Sequence, residues 1–419
     1  MNSLDKPKGV LIYGVLFLLL VTVARVQELF ALLTPLHLGA VAMVMVLVLF
    51  VVSPKPLVQV PLRKIPQLKM VLAIYGLCLF SVPFSVYPRA SFDFAVLGFP
   101  RTLLFFFLMI YGVRNFTDLR KVLWTYLAGV LLLAFFTITN GEGRRMTASA
   151  TYDPNDIALL FVVTLPMVYF FMHSQKGIAK AILFGTLLTL LFAFILTVSR
   201  GGFLGLLVIS LLILFKDRRS WPVKLVWLGL LAVAFVQFAP ESYWARIQTI
   251  TSKQDYNVTA EYGREALWRR GLNLLSENPV TGVGAGAIIT GIGTSYGDEG
   301  GKWMTVHNAY LQISAELGLG GGALFILLIL SSFRDLRRLR LKYARLPGEF
   351  QDHLWLITAL EISLVGFCVA ATFLSAAYFA VFYFLIALGC VLRKLDLMES
   401  VQFPCSAKGT PLLSDELNR

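Results

Sequence analysis

Runs of apolar residues, many of them close to 20 residues long, alternate with short polar segments along most of the chain. A helix that crosses a bilayer needs about 20 mostly apolar residues. Twelve stretches reach or approach this length, near residues 9–25, 36–53, 69–85, 94–113, 119–139, 157–173, 178–197, 201–216, 224–239, 308–330, 355–373 and 376–392. The last two share one apolar run, which predicts a tight hairpin near Ser375. The pattern predicts an all-α polytopic membrane protein with about twelve spans.

The composition supports this interpretation. The 419 residues are 57% hydrophobic and 15% charged, whereas an ordinary soluble domain is about a quarter charged. A soluble enzyme, a disordered chain and a disulfide scaffold are therefore excluded. Three of the four cysteines lie in apolar stretches and Cys405 lies in the C-terminal tail, so we interpret all four as small apolar filler.

The positive charges predict the orientation of the chain. Cytoplasmic loops of membrane proteins carry an excess of Lys and Arg. With the N-terminus in the cytoplasm and the sides alternating, 25 of the 37 Lys and Arg residues fall on the cytoplasmic side. We therefore expect both termini in the cytoplasm. The first span follows Lys6 and Lys8 without a small-residue cleavage site, and we interpret it as a retained anchor.

One long connection interrupts the pattern of short loops. We treat residues 1–419 as a single membrane domain in which residues 240–307 form a large outer loop and residues 393–419 form a disordered cytoplasmic tail. Apolar residues at helical spacing predict a helix over 261–275. The glycine-rich residues 282–301 are equally compatible with a flexible ligand-binding loop and a plain linker. The basic residues 331–345 predict an amphipathic extension bound to anionic lipids.

The outer side differs from the cytoplasmic side in the type of cation. It carries two lysines and nine arginines, the latter being Arg25, Arg89, Arg144, Arg145, Arg200, Arg246, Arg264, Arg269 and Arg270. A planar guanidinium can bind phosphate or carboxylate through two hydrogen bonds at once. The asymmetry predicts an outward-facing site for an anionic ligand. For any single arginine, pairing with a nearby acid or a lipid headgroup is an equally good explanation.

Two of these arginines stand out by position. Arg200, followed by two glycines, interrupts an apolar run at the outer boundary of two spans, where a cation is costly without a partner. Arg264 falls in the first turn of the predicted loop helix, where a cation opposes the helix dipole unless an anion is bound there. Trp268 lies four residues later on the same face and is suited to a sugar ring, or to anchoring at the membrane interface.

Two further polar motifs precede spans on the outer side. His307 lies before the stretch at 308–330, and neutral imidazole is a proton acceptor near neutral pH. Taken alone, a histidine at the membrane interface is more often a hydrogen-bonded polar residue than a catalyst. Tyr310 and Ser314 share its helical face, whereas Glu316 lies on the opposite face. The motif Asp153-Pro154-Asn155-Asp156 offers ligands for a metal or a sugar hydroxyl, or a helix N-cap. No metal-ligand spacing is present elsewhere on this side.

These motifs, taken in order, resemble the bacterial O-antigen ligase family, whose superfamily also includes O-antigen polymerases and O-linked oligosaccharyltransferases. The matching elements are residues 153–156, 199–202, 263–268, 278–284, 307–311 and 316–318. The resemblance implies a GT-C-like fold in the bacterial inner membrane, with the large loop in the periplasm. The N-terminal third matches only as generic spans.

The resemblance also implies the chemistry. Such enzymes transfer a glycan from undecaprenyl diphosphate to a hydroxyl of the lipid A-core saccharide, by inverting transfer without metal or other cofactor. It implies His307 as general base and Arg200 and Arg264 as stabilisers of the diphosphate. The residues implied in substrate binding are Asn155, Trp268, Arg269, Asn308 and Tyr310. The expected partners are the donor, the acceptor and membrane lipids but no nucleic acid, and the oligomeric state stays open.

Three alternatives remain from the sequence. An O-antigen polymerase would use the same donor with a second lipid-linked glycan as acceptor. An O-linked protein glycosyltransferase often carries a sizeable soluble C-terminal domain, which this chain does not show. A transporter or flippase should place ionisable residues near the membrane midplane, and Arg101 and Glu361 are the clear candidates.

Overall fold

The structure is a computed structural model that describes residues 9–53, 64–139, 151–217, 221–248, 263–296, 304–346 and 350–402. Within these ranges every regular element is a helix. The α-helices are α1 (Leu11–Leu19), α2 (Val26–Leu29), α3 (Leu38–Val52), α4 (Pro66–Ser81), α5 (Pro88–Asp93), α6 (Phe99–Gly112), α7 (Phe116–Thr139), α8 (Pro154–Phe171), α9 (Gly177–Leu196), α10 (Arg200–Lys216), α11 (Trp221–Phe238), α12 (Glu241–Gln248), α13 (Arg264–Glu277), α14 (Ile288–Tyr296), α15 (Ala309–Tyr343), α16 (Gln351–Ala371) and α17 (Ala380–Gln402).

The twelve predicted apolar stretches all coincide with helices, including the short one at α10. In the described part of the chain, seven helical segments are long and apolar enough to cross a membrane. They are Pro66–Phe84, Pro88–Gly112, Phe116–Thr139, Pro154–Ser174, Gly177–Leu196, Ala309–Tyr343 and Gln351–Ala371. The all-helical, multi-pass membrane character is therefore confirmed. The total of twelve spans, the sidedness of the loops and the division of the chain into a membrane domain, a loop and a tail stay predictions.

The packing centres on α8 and α16, which are the most buried of these segments. Glycines permit the close approach: a Cβ on Gly366 would lie 2.7 Å from Ile209, and one on Gly205 would lie 3.1 Å from Val162. Small residues serve this purpose in membrane helix pairs because they let the backbones approach closely. The contact fixes α8, α10 and α16 against one another, and with them the N-terminal ends of α8 and α10.

The predicted helix over 261–275 is confirmed as α13. Together with α14 and the start of α15 it forms a second small core, which contains Leu267, Leu274, Val283, Ile288, Ile292, Val306, Leu311 and Ala315. Gly271 brings α13 close to α15, since an added Cβ would lie 2.9 Å from Leu311. This core holds the N-terminal end of α13 beside the start of α15.

The glycine-rich segment is neither a flexible loop nor a plain linker over residues 282–287. Its backbone is bonded to α15: the Val283 N–H donates to the Ala315 carbonyl at 2.8 Å and the Gly284 N–H to the Glu316 carbonyl at 3.0 Å. The Glu316 carboxylate accepts from the Gly286 N–H at 3.0 Å. Gly318, with φ +69, interrupts the helical geometry of α15 at this contact. Residues 297–301 of the same run lie outside the described residues.

The predicted amphipathic extension over residues 331–345 is present, because α15 continues through them to Tyr343 with one buried and one exposed face. Leu336, Leu339 and Tyr343 are buried in the helical bundle. Arg340 forms an ion pair with Glu361 at 2.9 Å. One face of the segment is therefore packed into the protein, and its exposed face carries basic residues that include Arg334, Arg337, Arg338 and Lys342. Binding of this face to anionic lipids stays a prediction.

The described cysteines agree with their prediction as filler. Cys78, Cys368 and Cys390 are free thiols that are buried or half-buried. Cys405 lies outside the described residues.

Candidate functional site

Four helices begin near one another at the candidate site, and three of them are capped by a side chain. Asp153 caps α8 in a reciprocal capping box with Asp156. Ser199 caps α10 by accepting from the Gly202 N–H at 3.2 Å, and Asn308 caps α15 by accepting from the Leu311 N–H at 3.0 Å. The capping interpretation of the 153–156 motif is thus confirmed for Asp153, because its carboxylate is bonded to the backbone N–H groups of Asn155 and Asp156.

The fourth helix, α13, begins differently. Its N-cap is Gly263, which has no side chain with which to cap the helix. Arg264 occupies the first helical position. The N-terminal amide groups carry a partial positive charge, and a guanidinium beside them is unfavourable unless an anion is held there. Gly263 and Arg264 together therefore provide an end of α13 that is suited to binding an anion.

A hydrogen bond joins the starts of α8 and α10. The Ser199 hydroxyl donates to the Asn155 side-chain oxygen at 2.9 Å, so these two residues of separate motifs are in direct contact. Arg200 follows Ser199 as the first residue of α10 and is half-buried. The predicted residues Asn155 and Arg200 therefore lie on one edge of the candidate site.

Phe373 connects this edge to α13. It lies in the turn between α16 and α17, residues 372–379, which we call the 372–379 turn. The Arg264 guanidinium lies over its ring, 5.5 Å from the centroid, and the Trp268 ring lies 6.4 Å away. A Cβ on Gly201 would lie 3.0 Å from the Cβ of Phe373. One side chain thus contacts the beginnings of both arginine-bearing helices.

The same turn contacts the segment that carries His307. The His307 backbone is in the left-handed region, with φ +49. Its N–H donates to the Ser375 hydroxyl at 3.0 Å, and the hydroxyls of Thr305 and Ser375 lie 2.6 Å apart. Left-handed backbone is uncommon for a residue other than glycine, so these bonds hold His307 in a conformation that it would not adopt by preference.

Two charged residues lie near enough to His307 to shift the pKa of its imidazole. Burial above all, and then the nearby Arg264 guanidinium, hold the pKa of the imidazole below its ordinary value of 6.5, while Asp153 opposes the shift. The ring is therefore neutral at neutral pH, which is the form that accepts a proton. His307, Arg264 and the start of α8 consequently belong to one site.

The other predicted residues are placed as follows. Trp268 is half-buried beside Phe373. Arg269 forms an ion pair with Glu265 on an exposed face of α13. The Tyr310 hydroxyl donates to the Cys368 carbonyl at 2.9 Å, and the Ser314 hydroxyl donates to the Tyr310 carbonyl at 2.7 Å, so each of these hydroxyls is bonded to a helix backbone. The buried carboxylate of Glu316 contacts Gly286, in agreement with its predicted separation from His307.

Phe373 and Ser375 were missed by reasoning from the sequence. Neither residue is charged, and the sequence marks their segment only as a hairpin between two apolar stretches. The usable signal was the interruption of that apolar run by Thr372 and Ser375 at an expected outer-face turn. Packing of the turn against α10 and α13 could not be inferred from that signal.

Residues 185–326 match the family model for O-antigen ligase. This segment of the chain is similar to O-antigen ligases. No curated protein matches the chain at a significant level. The family consists of glycosyltransferase-like enzymes, both ligases and polymerases, so the resemblance predicted from the motifs is confirmed. The matched O-antigen ligase segment includes Arg200, Arg264, Trp268 and His307, whereas Asn155 and the 372–379 turn lie outside it.

Proposed function

We propose that this protein is an O-antigen ligase in a bacterial inner membrane. In this proposal it transfers a glycan from undecaprenyl diphosphate to a hydroxyl of the lipid A-core saccharide, with the site facing the periplasm. The observation that carries the proposal is the placement of a neutral imidazole, His307, beside Arg264 at the uncapped beginning of α13. A proton acceptor beside an anion-binding end is what transfer from a diphosphate donor requires.

The diphosphate is both the leaving group and the anion. As the bond from the anomeric carbon to the diphosphate oxygen breaks, the electron pair stays on the diphosphate and its negative charge rises. Fixed positive charges placed where charge develops are an effective means of lowering a barrier. Arg264 and the amide groups of α13 fill this role on one side, and Arg200 at the start of α10 fills it on the other. Bidentate arginines can take the place of a divalent cation.

The acceptor hydroxyl needs a base. Its oxygen attacks the anomeric carbon from the face opposite the diphosphate, which inverts the configuration, and His307 takes the hydroxyl proton. A positioned base contributes roughly 10²–10⁴-fold to such a step. The lowered pKa keeps His307 unprotonated at neutral pH, and this property supports the assignment.

The remaining predicted residues serve the sugars in this proposal. The half-buried indole of Trp268 beside Phe373 offers an apolar face on which a sugar ring can stack. Asn155 and Asn308 lie at the starts of α8 and α15. The contacts of Arg269 and Tyr310 within the protein make them weaker candidates, because Glu265 and the Cys368 carbonyl already engage them.

Two related activities use the same donor chemistry. A polymerase would present a second lipid-linked glycan to His307, and an O-linked protein glycosyltransferase would present a protein hydroxyl. The geometry around His307 favours neither over the ligase. We place the ligase first because the family model is that of O-antigen ligase.

A transporter is disfavoured by the contacts of one of its two candidate residues. Glu361 forms ion pairs with Lys216 at 2.8 Å and Arg340 at 2.9 Å, which links α10, α15 and α16. This arrangement is typical of a structural contact. Arg101 is exposed near the middle of the segment Pro88–Gly112 and does not argue against a transporter.

The deciding experiment compares lipopolysaccharide and the undecaprenyl-linked glycan pool in a strain that lacks the gene. A ligase predicts loss of every O-antigen band while long polymer accumulates on the lipid carrier. Core bearing a single repeat would instead identify a polymerase. An unchanged gel would refute both activities. Complementation with the wild type and with His307→Ala, expressed to equal levels, then tests whether the site is responsible.

A further inference from the structure

The 372–379 turn lies outside the segment that matches the O-antigen ligase family model. It nevertheless contacts both the candidate base, His307, and the candidate anion-binding residue, Arg264. Ser375 accepts the backbone N–H of His307 at 3.0 Å. Phe373 lies under the guanidinium of Arg264, with 5.5 Å between the guanidinium carbon and the ring centroid. These two residues are separated by one position along the chain, so a single rigid turn contacts the candidate base and the candidate anion-binding arginine.

Ser375 acts on the backbone of His307. A non-glycine residue at φ +49 is held there only when its surroundings fix it, since such conformations are strained. The Ser375 hydroxyl supplies one fixed acceptor and is itself fixed by Thr305, whose hydroxyl lies 2.6 Å away. Because the backbone conformation sets the direction of the Cα–Cβ bond, this hydrogen bond fixes the point from which the imidazole extends.

Phe373 acts on Arg264. A guanidinium within about 6 Å of an aromatic centroid is attracted to the face of the ring. The flat ring restricts the guanidinium to one orientation. Trp268 packs against the same ring at 6.4 Å and Gly201 approaches it closely, so Phe373 is itself held in place.

We propose that Ser375 and Phe373 are positioning residues of the transfer reaction, Ser375 for the base His307 and Phe373 for the anion-binding Arg264. This inference rests on the proposed function. It assigns different kinetic consequences to two residues of the same turn. Loss of Ser375 lowers the turnover of bound substrates, whereas loss of Phe373 weakens the binding of the donor.

The test uses the purified full-length protein in nanodiscs, with undecaprenyl-linked glycan as donor and lipid A-core as acceptor. We expect Ser375→Ala to lower kcat about 10–100-fold, since a displacement of about 1 Å can have this effect, with little change in the KM for donor. We expect Phe373→Leu to raise the donor KM about 3–10-fold through the lost cation–π contact, with a smaller change in kcat. Ser375→Thr and Phe373→Tyr should restore most of each loss.

Matched controls separate positioning from a general loss of structure. Ser81, the last residue of α4, likewise accepts a backbone N–H, that of Ala285, at 3.0 Å. This bond does not involve His307, so Ser81→Ala should leave kcat and the donor KM near those of the wild type. Phe105 stacks on Phe384 in the core between α6 and α17, outside the 372–379 turn, and Phe105→Leu is the control for loss of a ring. Equal falls in kcat for Ser375→Ala and Ser81→Ala, or an unchanged KM in Phe373→Leu, would overturn the proposal.

A second measurement does not depend on transfer. Diethyl pyrocarbonate modifies neutral imidazoles, and peptide mass spectrometry distinguishes His307 from the other three histidines, His37, His173 and His353. Ser375→Ala should change the modification rate at His307 alone, and Phe373→Leu should raise the Kd for undecaprenyl diphosphate. If the wild type performs no transfer, or His307→Ala keeps full activity, the proposed function fails. If these behave as expected while the modification rate and the Kd are unchanged, only the positioning roles fail.

Discussion

The imidazole of His307 lies between a positive group, Arg264, and a negative one, Asp153. Burial and Arg264 lower its pKa from 6.5, and Asp153 raises it. The neutral form is the base, so a lowered pKa extends activity towards lower pH. Activity is then lost as the pH falls through the lowered pKa.

We therefore predict that the transfer rate falls on the acid side with a midpoint below the ordinary imidazole pKa of 6.5. Asp153→Asn should move the acid limb to still lower pH, because it removes the charge that favours the protonated ring. Asparagine remains a good N-cap, so α8 should stay folded. Glu265→Gln on the exposed face of α13 is the control. An acid limb that moves up in Asp153→Asn would contradict the assignment.

The two arginines provide a second prediction at the scale of single residues. Arg264→Ala and Arg200→Ala should each raise the donor KM and also lower kcat about 10²–10³-fold, because each removes a group that binds the diphosphate and stabilises its developing charge. Lysine keeps the charge but cannot form the bidentate contact, so Arg264→Lys should recover part of the activity and not all of it. Arg269→Ala, which removes a residue of an exposed ion pair, is the comparison. Full activity in Arg264→Lys would show that charge alone suffices.

At the scale of elements, the contact between the glycine-rich segment and α15 depends on backbone that only glycine adopts readily. Gly282 has φ +66, and a Cβ there would lie 2.3 Å from the Glu316 carbonyl. Gly318 has φ +69, and a Cβ there would lie 2.4 Å from the Val280 carbonyl. Both positions join residues 278–287 to the helix that begins just after His307.

We predict that Gly282→Ala or Gly318→Ala destabilises the protein by about 1–3 kcal/mol, the usual cost of a strained backbone position. The measurement is the midpoint of thermal aggregation in detergent. Gly185 lies within α9 with open space around it, so Gly185→Ala should leave the midpoint unchanged or raise it. Equal midpoints for Gly282→Ala and Gly185→Ala would show that the segment is not fixed to α15.

The ion pairs of Glu361 give a further prediction for helix packing. Removing one partner of a buried pair costs about 3–5 kcal/mol, because the other charge is left unpaired. Glu361→Ala leaves Lys216 and Arg340 without this carboxylate and should lower the aggregation midpoint strongly. The double variant Glu361→Leu with Arg340→Leu should be less destabilised than Glu361→Ala. A stable Glu361→Ala protein that lost activity would instead indicate a functional proton relay.

The sequence predicted individual helices well and their mutual contacts poorly. Apolar runs of span length identified even the short α10, because hydropathy alone decides that property. The outer arginines and His307 were found because charge at the end of a span is conspicuous. Phe373 and Ser375 were not, since their importance comes from what they touch across distant parts of the chain. The fixed conformation of residues 282–287 was also missed, because glycine content predicts flexibility unless the partner, here Glu316, is known.

At the scale of the whole molecule, the proposed chemistry requires one orientation in the membrane. The N-terminal ends of α8, α10, α13 and α15 meet at one site. The C-terminal ends of α10 and α15 meet α16 through Lys216, Arg340 and Glu361. The site and the basic ends of these helices are therefore separated along the helix axes, as expected if the site faces outwards and the basic ends face the cytoplasm.

Labelling of single cysteines tests this orientation. In a variant with Cys78, Cys368, Cys390 and Cys405 replaced by alanine, Ser295→Cys on α14 and Arg337→Cys on α15 place thiols at exposed positions. We predict that a membrane-impermeant maleimide labels position 295 in intact spheroplasts and position 337 only after lysis. The permeant reagent must label both, which controls for accessibility. The reverse pattern would place His307 and Arg264 in the cytoplasm, away from a periplasmic donor, and would refute the proposed function even if every substitution in the site lowered activity.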